Sequence, residues 1–144
     1  MGMASKKVGI ISCSGEELPE GTISRMATRL VLEKLRNEKT VTICLPLFLA
    51  GSEDERAFAR VFPTITVDGC EKHCAAIGTQ KYSGKPAATI VVTDFLKKHP
   101  NHNPKSRDEL SDEEIEVAET VAEEIARKVD QVLGQEGSAR QSES

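Results

Sequence analysis

The sequence has no tryptophan, one tyrosine and only four phenylalanines. Any core it builds must therefore be aliphatic. Apolar runs near the ~20 residues of a membrane-spanning helix are missing. So is an apolar leader segment in the first seven residues, and Lys6 breaks the myristoylation pattern. These absences predict a cytoplasmic protein with no membrane partner. A basic surplus is lacking too. The net charge is -4, and the clusters Lys97-Lys98 and Asp112-Glu113-Glu114 are short enough to be solvated faces. That excludes the electrostatic footprint of a nucleic-acid binder. No glycine-rich phosphate loop ends in Lys-Ser or Lys-Thr, and Gly69, Gly78 and Gly84 make no dinucleotide fingerprint. A thiol phosphatase would need an arginine a few residues after Cys13. The next one is Arg25, beyond Pro19 and several acids.

What is present fits one domain. A chain of 144 residues buries roughly 68% of its unfolded surface, so folding need not depend on a metal or disulfides. Val8, Ile10 and Ile11 read as a first strand closed by Ser12-Cys13-Ser14-Gly15. The acidic stretch 16–21, with Pro19, reads as an exposed loop. Ile23, Met26, Ala27, Leu30, Val31 and Leu35 recur at helical spacing and predict a helix over 22–36. A second strand is expected over 40–44, with Pro46 as its stop. Ser52 and Glu55 have capping-box spacing for a short helix to 62. A third strand is expected over 64–67, a helix over 71–81 and a fourth strand over 88–93 that ends at Asp94. The segment 98–107 reads as a loop. Ser111 and Glu114 form another capping box, with Leu110 and Ile115 as its staple, before a last helix whose apolar stripe runs from Ile115 to Val132 and which stops at Gly134.

This βα alternation predicts a small Rossmann-like three-layer α/β/α domain with a four-stranded, mainly parallel sheet in the order 2-1-3-4. The domain is expected over 7–133, with a flexible N-terminus over 1–6 and a disordered tail over 134–144.

The four cysteines then fall into a pattern. Functional groups gather outside the carboxyl ends of parallel strands. Cys13 follows strand one, Cys44 ends strand two and Cys70 follows strand three. Cys74, four residues on, shares a face with Cys70 if the stretch is helical. Strands one place apart in the order are about 4.8 Å from each other. Sulfurs around one zinc stand about 3.8 Å apart, given Zn–S bonds of about 2.3 Å. A common tetrahedral site is therefore within reach. A helix beginning near Cys70 would also lower thiol pKa values, and Lys72 and Arg25 would offset part of the thiolate charge. The bland alternative stays open at this point. Free cysteine is a common buried small hydrophobe, Cys44 would suit a core, and the spacing is not that of a zinc ribbon.

Asp68-Gly69-Cys70-Glu71-Lys72-His73-Cys74-Ala75 resembles the DGC-domain family, named for its central tripeptide. The resemblance takes in Cys13-Ser14-Gly15, Ile23-Ser24-Arg25-Met26-Ala27, Cys44 and Val92-Thr93-Asp94, over about residues 7–130. It implies one metal ion, zinc, held by Cys13, Cys44, Cys70 and Cys74. The Glu-rich loop after Gly15 departs from the family pattern.

Other residues are weaker candidates. His73 stands between two cysteines, and His99 and His102 frame a Pro-Asn loop. Asp68 and Asp94 are each either a base or a cap. Three functions compete: metal binding without catalysis, a redox or sulfur-handling enzyme with Cys70 as nucleophile, and an iron–sulfur cluster on the same cysteines. The sequence names no protein partner.

Overall fold

A computed structural model describes residues 7–13, 18–98 and 111–143, with side chains as far as 134. Its elements in chain order are β1 (Val8–Ser12), α1 (Pro19–Leu30) running into a π turn (Val31–Leu35), β2 (Thr40–Thr42), α2 (Leu45–Ala50), α3 (Glu53–Arg56), α4 (Phe58–Val61), β3 (Thr64–Asp68), α5 (Cys74–Tyr82), β4 (Ala88–Val91), α6 (Val92–Leu96) and α7 (Asp112–Glu143).

The four strands form one sheet in the order β2-β1-β3-β4. All three ladders are parallel, pairing Val8 with Thr40, Ile10 with Ile65 and Val67 with Ile90. The predicted class and strand order hold. Alternation along β1 divides the core. Val8 and Ile10 face α1 and α7, where Ile23, Ala27, Val31, Val121, Ile125 and Val129 are fully buried. Ile11 faces the opposite way, against Leu45, Phe48 and Ala75. Gly9 leaves room on that second face for Phe58, whose ring carbon would stand 2.5 Å from a Cβ there.

The boundaries differ from expectation in instructive ways. α1 starts at Pro19, inside the stretch read as a loop, and ends in a π turn closed by Arg36 N–H on Val31 O at 2.8 Å. Proline has no N–H to lose in a first turn, and Leu18 before it takes the extended conformation that proline imposes. Pro46 repeats the lesson. β2 stops at Thr42, and Cys44, expected to end the strand, is the N-cap of α2, a helix the pattern did not predict. β4 ends at Val91 because its partner β3 ends there, at the pair Asp68–Val91. Val92 and Thr93 then turn into α6, so Asp94 is helical and not at a strand end.

Both capping boxes are present. Ser52 N–H donates to Glu55 at 2.9 Å, and Ser111 N–H and Glu114 N–H exchange bonds with each other's side chains at 3.3 and 3.2 Å. The short helix after Ser52 is split into α3 and α4. α7 passes through Gly134 instead of stopping there. An isolated glycine costs a helix only about 1 kcal/mol. The loop 98–107 with His99 and His102, the staple residue Leu110, the loop after Gly15 and the N-terminal 1–6 lie wholly or mainly outside the described residues.

Candidate functional site

The strand order reverses beside β1, with β2 on one side and β3 on the other. In open α/β sheets that crevice is where ligands bind. Here it is lined by the exits of β1 and β3. Cys13 N–H continues the ladder to Val67 O at 3.0 Å. One step further, Gly69 N–H donates to Cys13 Sγ at 3.3 Å. This bond ties the end of β1 to the Asp-Gly-Cys turn.

Each residue of that turn has a distinct physical task. Asp68 is 2% exposed. Its two carboxylate oxygens accept from Ala75 N–H at 2.7 Å and Ala76 N–H at 3.1 Å, which caps α5. Burial pushes its pKa up, against the pull of those two bonds and of His73. Of the two roles open to Asp68, the structure gives it the cap. Gly69 lies against the start of α1. A Cβ there would stand 2.5 Å from Gly21 N and 2.6 Å from the Glu20 carbonyl carbon. No other residue fits without moving backbone.

Cys70 is half-buried. It does not begin a helix. The chain makes a turn closed by His73 N–H on Cys70 O at 3.3 Å, and α5 starts only at Cys74. His73 has φ 56° and ψ 42°, the left-handed region, and is the N-cap. Histidine tolerates that region better than most residues, and this conformation is what lets Asp68 reach back to the helix start. Cys70 and Cys74 therefore do not share one helix face. At Cys74 the direction is opposite to the lowering expected at this helix start. The first free N–H groups are taken by Asp68, and Cys74 is pushed up by loss of water and then by Asp68, Cys70 and Cys13, with Lys72 opposing.

Cys13 sits in a small hydrogen-bond chain that the sequence did not reveal. Its Sγ lies 3.1 Å from Ser24 Oγ, and Ser24 O–H donates to Gly21 O at 2.6 Å. With that proton committed, the Ser24 oxygen accepts from the Cys13 thiol. A Cys13 thiolate would instead draw the Ser24 proton to itself. The available signal was faint: Ser24 and Thr28 are polar residues four apart, beside the apolar stripe of α1, and both are buried.

Cys44 is exposed and stands on the other side of Cys13. Cys13 and Cys44 line a common hollow with Arg25. Cys13 thus belongs to two neighbourhoods, with Cys70 and Cys74 on one side and Cys44 on the other. Thiols suit a soft or borderline metal in kind. As the side chains stand, no group of three or more His, Cys, Asp or Glu among the described residues is arranged to hold an ion. Asp94 is 67% exposed, with Lys97 3.9 Å away. No helix among the described residues is long and apolar enough to cross a membrane.

A family model described as the DGC domain matches residues 9–132. No curated protein and no solved structure matches the chain.

Proposed function

This chain belongs to the DGC-domain family, and from that premise we propose that it is a metal-binding protein that gathers one zinc ion with Cys13, Cys44, Cys70 and Cys74. The supporting observation is the Gly69 N–H bond to Cys13 Sγ, which fixes the first thiol beside the turn that carries the second and leads to the third. Cys70 opens a four-residue turn that Cys74 follows, and Cys44 caps a helix of six. Rotation of the exposed Cys44 and Cys74 and the half-buried Cys70, with small shifts of these short segments, would close the set. Four thiolates complete the shell of a tetrahedral zinc, which then crosslinks the chain and leaves no open position for catalysis. Lys72, already acting on Cys74, would balance part of the negative charge.

The test is elemental analysis of protein purified without oxygen. The expected sample is colourless, with about one zinc per chain, and Cys13→Ser, Cys70→Ser and Cys74→Ser each release the ion. Retention of zinc by Cys44→Ser would reduce the set to three. A brown sample absorbing in the visible would replace zinc with an iron–sulfur cluster. Metal-free protein with four freely alkylated thiols would end the proposal. Fast alkylation of a single cysteine in loaded protein would favour thiol catalysis.

A further inference from the structure

We propose that the hollow between α1 and the exit of β2 binds a small carboxylate with an apolar body. The hollow has a volume of about 310 Å³, near the lower end of the roughly 300–1,000 Å³ typical of ligand pockets. It is open on one side and has walls of two kinds. Leu32, Ile43, Leu45 and Pro46 supply apolar surface. Arg25 supplies the charge at the rim.

The charge balance decides the class of ligand. No Asp or Glu lines the hollow. Two arginines do, but Arg29 is committed to Glu33 at 2.7 Å. Arg25 is exposed and has no ion pair among the described residues. One uncommitted guanidinium matches one carboxylate, which it takes through two parallel N–H bonds. A phosphate dianion would call for a second cation and would gain nothing from the apolar wall. Beside the same hollow, Thr28 is 3% exposed and its hydroxyl has no hydrogen-bond partner. A buried hydroxyl without a partner is unfavourable, and turning Thr28 toward the hollow would let a polar ligand atom satisfy it. The ligand would lie against Cys13 and Cys44, at the edge of the proposed metal site. The inference goes beyond metal binding and does not require it.

The experiment titrates the full chain, as purified, with 4-methylpentanoate and follows backbone amide shifts by NMR. Two controls accompany it: 4-methylpentanamide, which keeps the apolar body and lacks the charge, and inorganic phosphate, which does the reverse. Saturable shifts are expected at Arg25, Thr28, Leu32 and Ile43. Arg25→Gln, a substitution at an exposed position, is expected to weaken binding about fivefold, with Arg25→Lys in between. The amide and phosphate are each expected to bind at least about fivefold more weakly than the acid. The inference is overturned if the amide or phosphate binds as well as the acid, if Arg25→Gln changes nothing, if shifts do not saturate, or if they fall outside the hollow. Zinc content measured on the same samples separates the two readings. Full zinc with no carboxylate binding overturns this inference alone, and carboxylate binding without zinc overturns the metal reading alone.

Discussion

The two faces of the sheet are built differently. On one, α1 and the long α7 cover sixteen buried apolar residues, from Val8 to Val132. On the other, α2 to α5 are helices of four to nine residues, and the buried cluster they cover has four members: Ile11, Leu45, Phe48 and Ala75. Polar contacts supplement that thin face. Arg56 donates to Leu49 O at 2.7 Å and stands 4.7 Å over the Tyr82 ring. Three of the four cysteines belong to the thin face: Cys44 caps α2, and Cys70 and Cys74 lead into α5. Only Cys13 follows a strand directly. The division separates tasks. The thick face supplies stability, at about 1.5–3 kcal/mol for each fully buried large aliphatic side chain. The thin face supplies the short segments that carry three of the four cysteines.

The sharpest test of this contrast compares truncations of equal size. Ile125→Ala on the thick face should cost about 4 kcal/mol, and Leu45→Ala on the thin face about 2 kcal/mol, because shorter helices collapse better into the space left. Denaturant unfolding measures both. Equal losses would dissolve the distinction. Next in size, Asp68→Ala should cost about 1.5 kcal/mol by removing both bonds to α5, and Asp68→Asn less than half of that. Asparagine keeps one acceptor and buries no charge. Faster hydrogen exchange in Asp68→Ala should be confined to α5 and spare α7; loosening of both would mean that the faces unfold together.

The smallest effect lies on the thick side. Arg36 pairs with Asp130 at 2.8 Å and holds the Asp130 carboxyl below its ordinary range. Both side chains are partly exposed, so the pair contributes only about 0.5 kcal/mol. A lowered acid stabilises the fold above its unfolded pKa, about 3.9, and that contribution is lost as pH falls through the folded value. Asp130→Asn should therefore lower stability by about 0.5 kcal/mol in the neutral region, leave it unchanged below the folded pKa, and so flatten the acid limb of the profile slightly. A steeper acid limb in the variant would contradict the pairing.

The thick face was the more legible in the sequence. The α7 stripe, with Ala118, Val121, Ile125 and Val129 buried, and the capping box at Ser111 depend on local spacing alone. So do the β-branched runs and the alternation that predicts the order 2-1-3-4. The misreadings fall on both faces, where proline and cysteine carry two meanings. Pro19 looks like part of a loop and Pro46 like a stop, yet both open helices. Cys70 and Cys74 have helical spacing, but Asp68 fixes the start of α5 from outside it. That choice depends on a carboxylate reaching back over seven residues and on the left-handed His73, and neither leaves a periodic trace. Cys13, Cys70 and Cys74 follow the exits of β1 and β3, while Cys44 follows β2 on the other side of Cys13, and the Cys13–Ser24 contact joins residues eleven apart with no motif.

Gly69 has a mechanical meaning. With no side chain between them, the backbone leaving β3 and the first turn of α1 touch directly, so a push on one is delivered to the other without a cushion. α1 also forms a wall of the carboxylate hollow. The close approach at Gly69 thus joins the Cys70 turn to that wall, and even one methyl group at position 69 would force the two backbones apart.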